Sequence, residues 1–157
     1  MDKTGVVEAI RAQLREEYDG LTQMTAMSRD EATGGESKAE NKYDTRALEA
    51  SYLAAGQGQR LEELKQLLAW YEAFDPSRTS HRVADGALVE TLSETERSQW
   101  YFVAPAGGSR IELSGQRVQT ISLKSPLGRA LSGLERDDAA TVESPRGAIE
   151  IEIISVR

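Results

Sequence analysis

Val118-Gln119-Thr120-Ile121-Ser122-Leu123-Lys124-Ser125-Pro126-Leu127-Gly128-Arg129-Ala130-Leu131 is the stretch that decides the fold. Its first six residues read as a strand, in a region where the apolar period is two. Ser125-Pro126-Leu127-Gly128 then turns the chain, because proline fixes φ and has no N–H to give to a ladder. A short helical stretch, Arg129 to Gly133, follows. Working outward, Ala87 to Leu92, Trp100 to Ala104 and Arg110 to Leu113 read as further strands, with Pro105-Ala106-Gly107-Gly108 turning between the last two. The final pair is Ala140 to Glu143 and Ile149 to Ile154, joined across Ser144-Pro145-Arg146-Gly147. Ile149-Glu150-Ile151-Glu152-Ile153 alternates cleanly, which predicts one packed and one wet face.

The first half has a different period. Val7, Ile10, Leu14, Tyr18, Leu21 and Met24 recur every three or four residues, predicting a helix from about Lys3 to Ala32. Thr33-Gly34-Gly35 ends it. Ser37-Lys38-Ala39-Glu40 is a capping-box pattern for a second helix reaching about Phe74, stopped by Asp75-Pro76. The inner stripe of that helix is predicted to run Ala47, Ala50, Ala54 and Gly58, then Leu61, Leu64, Leu68 and Tyr71. The small residues imply a thin distal portion. The predicted organisation is a helical hairpin over 1–75 with an acidic tip near 31–44, a polar linker at 76–82 and a β domain over 83–157. A hairpin of this slenderness is marginal alone and needs its base packed, through residues such as Trp70, Tyr71 and Phe74.

Composition bounds the function. The net charge is −7, from 26 acids and 19 bases, and both halves are acidic. Direct nucleic-acid binding therefore has little electrostatic support, and a basic channel is the more natural partner. The absence of cysteine excludes disulfides, thiol catalysis and zinc-thiolate sites. No apolar run approaches the ~20 residues of a membrane span, and the start lacks a secretory signal, so a soluble cytoplasmic protein is expected.

The stretch Val118 to Leu131, the acidic spacer Gly133-Leu134-Glu135-Arg136-Asp137-Asp138 and the hairpin Glu143-Ser144-Pro145-Arg146-Gly147 together resemble the GreA/GreB family of bacterial transcription elongation factors. The resemblance extends over nearly the whole chain. It implies an α+β fold, an N-terminal antiparallel coiled-coil hairpin followed by a small FKBP-like antiparallel β domain. It implies RNA polymerase as partner, met at the rim of the secondary channel, with nascent RNA contacted only indirectly within the polymerase. Ser125, Pro126, Leu127 and Gly128 would dock. Tip acids would help hold a catalytic Mg²⁺ jointly with the polymerase, which then cleaves backtracked RNA; the free protein would bind no cofactor. The factor would be accessory, the polymerase remaining the enzyme, and a monomer is expected.

The family tip pattern is Gly-Asp-x-Ser-Glu-Asn-x-Glu-Tyr, whereas this chain reads Gly35-Glu36-Ser37-Lys38-Ala39-Glu40-Asn41-Lys42-Tyr43. Anchored on Gly35 and Tyr43, Glu36 falls at the first acid and Ala39 at the second. Anchored on Glu40-Asn41, the acids are four apart, a spacing that still shares one helix face. Glu36 and Glu40 are the first candidates for metal assistance, with Asp44 and Glu31 behind them. The plainer reading makes these four a solvated run whose members favour a helix start. Lys38 and Lys42 flank the acids, which keeps open a channel occupant that regulates or inhibits without cleavage. An unrelated helical-hairpin adaptor is the third reading. His81 is expected on the surface, Tyr43 in packing, and Trp70 and Trp100 in the core.

Overall fold

A computed structural model describes residues 1–33, 45–95, 97–144 and 147–157, and the side chains of these except 28–33, 45–51 and 144. The predicted hinge, with its capping box and Tyr43, lies outside the described residues, as do Pro145 and Arg146. The elements are α1 (Lys3–Thr33), α2 (Thr45–Ala73), β1 (Leu88–Ser93), β2 (Ser98–Val103), β3 (Arg110–Leu113), β4 (Gln116–Ile121), α3 (Pro126–Leu131), β5 (Ala139–Ser144) and β6 (Gly147–Val156). Each strand expected from the sequence is present, within a few residues of its expected bounds. The chain divides into two compact units, Met1–Ile10 with Ala73–Arg157, and Arg11–Glu72.

In the first unit six strands form one sheet in the order β3-β4-β2-β1-β6-β5. Four pairings are antiparallel, but β2 and β4 run parallel, with Trp100 opposite Val118 and Val103 opposite Ile121. The sheet is thus mixed, where the sequence reading expected only antiparallel neighbours. The cause is the connection after β2. Instead of a tight hairpin, Pro105 to Ser109 carries the chain past the slot that β4 fills, fixed by Ala104 N–H to the Ile121 carbonyl at 2.9 Å and Gly108 N–H to the Thr120 carbonyl at 3.1 Å. The tight hairpin falls one strand later. Leu113 pairs with Gln116 across Ser114 and Gly115, both at positive φ (54° and 75°), the conformation that matches strand twist in a two-residue turn.

The sheet is packed on both faces. On one, Val89, Tyr101, Val103, Ile121 and Ile153 form a cluster with Val83, Ala87 and Leu131, the last delivered by α3. On the other, Phe102 meets Phe74 edge-on, ring centroids 5.8 Å apart. The first turns of α1 are buried at Val6, Val7 and Ile10. Lys3 anchors them: its ammonium donates to the Gly86 carbonyl at 3.1 Å and to the Arg78 carbonyl, and lies 5.8 Å from the Phe74 ring centre. Trp100 is core as expected, 5% exposed, with the Arg157 guanidinium over its ring. His81 is exposed, also as expected.

The second unit pairs the remainder of the two helices. Leu14, Leu64 and Tyr71 are fully buried, and Tyr18, Leu21, Leu61 and Leu68 partly so. Polar clasps supplement this seam: Arg11 Nε donates to the Tyr71 carbonyl at 2.8 Å, Arg15 meets Glu72 at 3.1 Å, and Arg60 meets Glu17 at 2.6 Å. Further along, three expectations fail. Met24 is 59% exposed, and Ala54 and Gly58 are exposed too. Gly58 is out of phase, since four residues back from Leu61 the half-buried position is Gln57. Ala54 is in phase, but a methyl group covers little surface. Trp70 is half-buried rather than core, set edge-on to Tyr71 at 4.9 Å. The expected side chains of Ala47 and Ala50 lie outside the described residues.

Candidate functional site: the turn before α3

Ser125 is the N-cap of α3, in extended conformation (φ −74°, ψ 158°). Its Oγ accepts from the Gly128 N–H at 3.1 Å and donates to the Ser122 carbonyl at 2.7 Å. This is the standard work of a capping serine, satisfying an N–H that the helix itself leaves open. Pro126 occupies the first helical turn, where a missing N–H costs nothing. Gly128 is buried, and a Cβ built on it would lie 2.0 Å from the Ser122 carbonyl oxygen and 2.9 Å from Leu123 Cα. Only glycine lets the helix approach the end of β4 this closely.

The four residues singled out in the sequence therefore divide by task. Ser125 and Gly128 build the turn. Pro126 is exposed, and Leu127 is half-buried, packed against the sheet cluster on one side and open on the other. Lys124 and Arg129 are exposed beside Pro126, with Arg129 Nη1 donating to the Lys124 carbonyl at 2.8 Å. Neither cation forms an ion pair among the described residues.

Two grooves meet at this turn. One, of about 480 Å³, is lined by Ser125, Pro126 and Leu127 with Thr120, Val142 and Glu143. Its neighbour, of about 540 Å³, shares Leu127 and Val142 and adds Tyr101, Ile149 and Ile151. Ile149 is 40% exposed. The sequence reading missed Lys124, Arg129, Val142 and Ile149 as members of this surface. The alternation of β6 marks Ile149 as packed, but α3 packs along β5 rather than over β6, and no sequence signal carries that. Burial pushes the Tyr101 hydroxyl above its ordinary value, and that hydroxyl donates to Gln99 Oε1.

Of the tip acids, Glu31 lies on α1 with its side chain outside the described residues, and Glu36, Glu40 and Asp44 lie wholly outside them. Among the described residues, no three Asp, Glu, His or Cys side chains are grouped so as to hold a metal ion. No described helix is long and apolar enough to cross a membrane.

Residues 78–157, the segment that contains the sheet and this turn, match the family model of the transcription elongation factor GreA/GreB C-terminal domain. The chain is 36% identical over 114 residues to transcription elongation factor GreA of Cereibacter sphaeroides, an alignment covering 69% of this chain and 70% of that protein. It is 32% identical over 114 residues to the GreA of Paracoccus denitrificans, with 69% and 70% covered. Among solved structures, that of Thermus aquaticus Gfh1 aligns over 96% of this chain and 95% of its own at 17% identity, with a TM-score of 0.40. On the family model and the identity to the GreA relatives, this chain belongs to the GreA/GreB family of transcription elongation factors. An unrelated helical-hairpin adaptor is thereby excluded.

Proposed function

We propose that the protein binds RNA polymerase at the secondary channel and stimulates the polymerase's own Mg²⁺-dependent cleavage of backtracked RNA. Family membership carries this reading. The turn at Ser125 to Gly128 supports the docking half. Hydrogen bonds and glycine packing hold it rigidly, so Pro126 and the open side of Leu127 are presented without an ordering cost on binding. The flanking cations Lys124 and Arg129 would set orientation and on-rate against an acidic surface.

For the cleavage half, Glu36 and Glu40 would contribute carboxylate oxygens to a Mg²⁺ shared with the polymerase, with Asp44 and Glu31 as further donors. Carboxylates suit this hard cation, which keeps several water ligands and binds a protein through one or two such groups. When bound, the ion supplies an activated water and offsets charge developing on the phosphate. The protein is accessory in this scheme: its side chains bring oxygen ligands to the polymerase's centre, and the polymerase performs the hydrolysis. It acts as a soluble monomer in the cytoplasm, where its partner works, and touches RNA only within the polymerase.

One observation favours a second outcome with the same partner. Lys38 and Lys42 alternate with the acids, and Ala39 stands where one family alignment sets the second acid. If the lysines neutralise Glu36 and Glu40, the protein occupies the channel without assisting cleavage. Cleavage of labelled RNA in stalled, backtracked complexes separates the two. Acceleration by the wild type, lost in the Glu36→Ala/Glu40→Ala double variant, supports metal assistance; intact binding without acceleration supports occupancy.

A further inference from the structure

The sheet face that carries Tyr101 holds a third cleft, beyond the two grooves at the turn. It measures about 630 Å³, and Arg97, Arg110 and Arg117 line it together with Gln99, Gln116 and Gln119. The strand register explains how residues so far apart in sequence meet. Arg110 on β3 is opposite Gln119 on β4, and Gln119 is beside Tyr101 on β2. Side chains two apart on a strand share a face, so Arg117 stands with Gln119 and Gln99 with Tyr101, while Arg97 joins the lining from the residue before β2. All three arginines are exposed, and none forms an ion pair among the described residues. Glu112, the register partner of Arg117, makes no such contact with it. Gln99 Oε1 accepts from the Tyr101 hydroxyl, which leaves the Gln99 amide nitrogen to donate outward.

We propose that this cleft is a binding site for a compact oligophosphate, a small molecule bearing two or more linked phosphoryl groups. The polar part of the lining is dominated by donors, beside the rings of Trp100 and Tyr101. Guanidinium groups give forked, charge-assisted hydrogen bonds that match phosphoryl oxygens, and the glutamine amides add neutral donors around them. The volume falls within the ~300–1,000 Å³ of small-ligand sites. Three cations grouped on a protein of net charge −7 are a local feature. A long nucleic-acid strand would have to lie along the acidic remainder, whereas a compact anion stays within about one Debye length, ~8 Å, of the arginines. The cleft adjoins the second groove at the turn, sharing Arg97, Gln99 and Tyr101 with it.

Titration of the full-length protein with inorganic triphosphate, followed by calorimetry at low and at raised salt, tests this. Saturable one-to-one binding that weakens with salt is expected. Arg110→Gln and Arg117→Gln should each weaken it about tenfold, and the triple variant with Arg97→Gln should abolish it. Arg136→Gln, an exposed arginine outside the cleft, should leave it unchanged, and circular dichroism should report the same fold throughout. Absence of saturable binding overturns the proposal, as does equal weakening by Arg136→Gln. So does binding of a short single-stranded RNA, or of a polyglutamate peptide, through these arginines where triphosphate fails; either result assigns the cleft to a macromolecule.

Discussion

Gly128 is the residue on which the turn before α3 depends most. The space that a Cβ would need is filled by backbone, the Ser122 carbonyl and Leu123 Cα, not by a side chain that could swing away. Gly128→Ala should therefore cost about 1–3 kcal/mol, the range for overpacked sites, measured by chemical denaturation. Ser125→Ala removes the cap and should cost about 1 kcal/mol, with α3 amides near its start exchanging faster. Pro126→Ala should leave stability nearly unchanged and weaken polymerase binding, since this side chain is exposed and makes no hydrogen bond. Lys3 provides a pH test. Burial, then the Arg78 charge, lowers its pKa from 10.5 in the folded protein. The unfolded chain thus binds that proton more strongly, and stability should rise with pH between the lowered value and 10.5. Lys3→Met should remove that slope in unfolding curves taken across the alkaline range.

Among the elements, α1 and α2 change character along their length. Near Leu14, Leu64 and Tyr71 the seam is closed, and Leu64→Ala should cost about 2–5 kcal/mol, read from denaturant unfolding. Past Leu61 the helices carry exposed Met24, Met27, Tyr52 and Leu53, so backbone amides over residues 21–27 and 52–57 should exchange faster than those of β1, β2 and β6. How much of this was legible follows from what decides each feature. Local period and turn chemistry located each helix and strand, but Ser125-Pro126 reads only as a turn ahead of a helix at Arg129, whereas it is the N-cap and first turn of α3. The parallel β2–β4 pair was not legible, because a crossover and a hairpin both begin with Pro105-Ala106-Gly107-Gly108. Gly58 was misassigned for a similar reason: a seam of small residues leaves the helical phase undetermined by one position. The arginine cleft was hidden because its members come from three strands whose register only the folded sheet defines.

For the whole molecule, net charge and family membership bear on one partner. Under the proposed function an acidic protein would enter a basic channel and gain from long-range attraction, so its association with polymerase should slow as salt rises. In the proposed scheme docking and chemistry would lie in different stretches of the chain, the turn at Ser125 to Gly128 and the acids at Glu36 and Glu40. Substitutions in the two stretches should therefore separate binding from rate. The measurement that tests the central claim most directly is RNA shortening in stalled, backtracked elongation complexes with wild-type protein and with Glu36→Ala/Glu40→Ala. Acceleration by the wild type that is lost in the variant, while polymerase binding persists, is the predicted result. Acceleration that survives the double substitution, or its absence from the wild type despite full binding, would contradict the assignment of these acids.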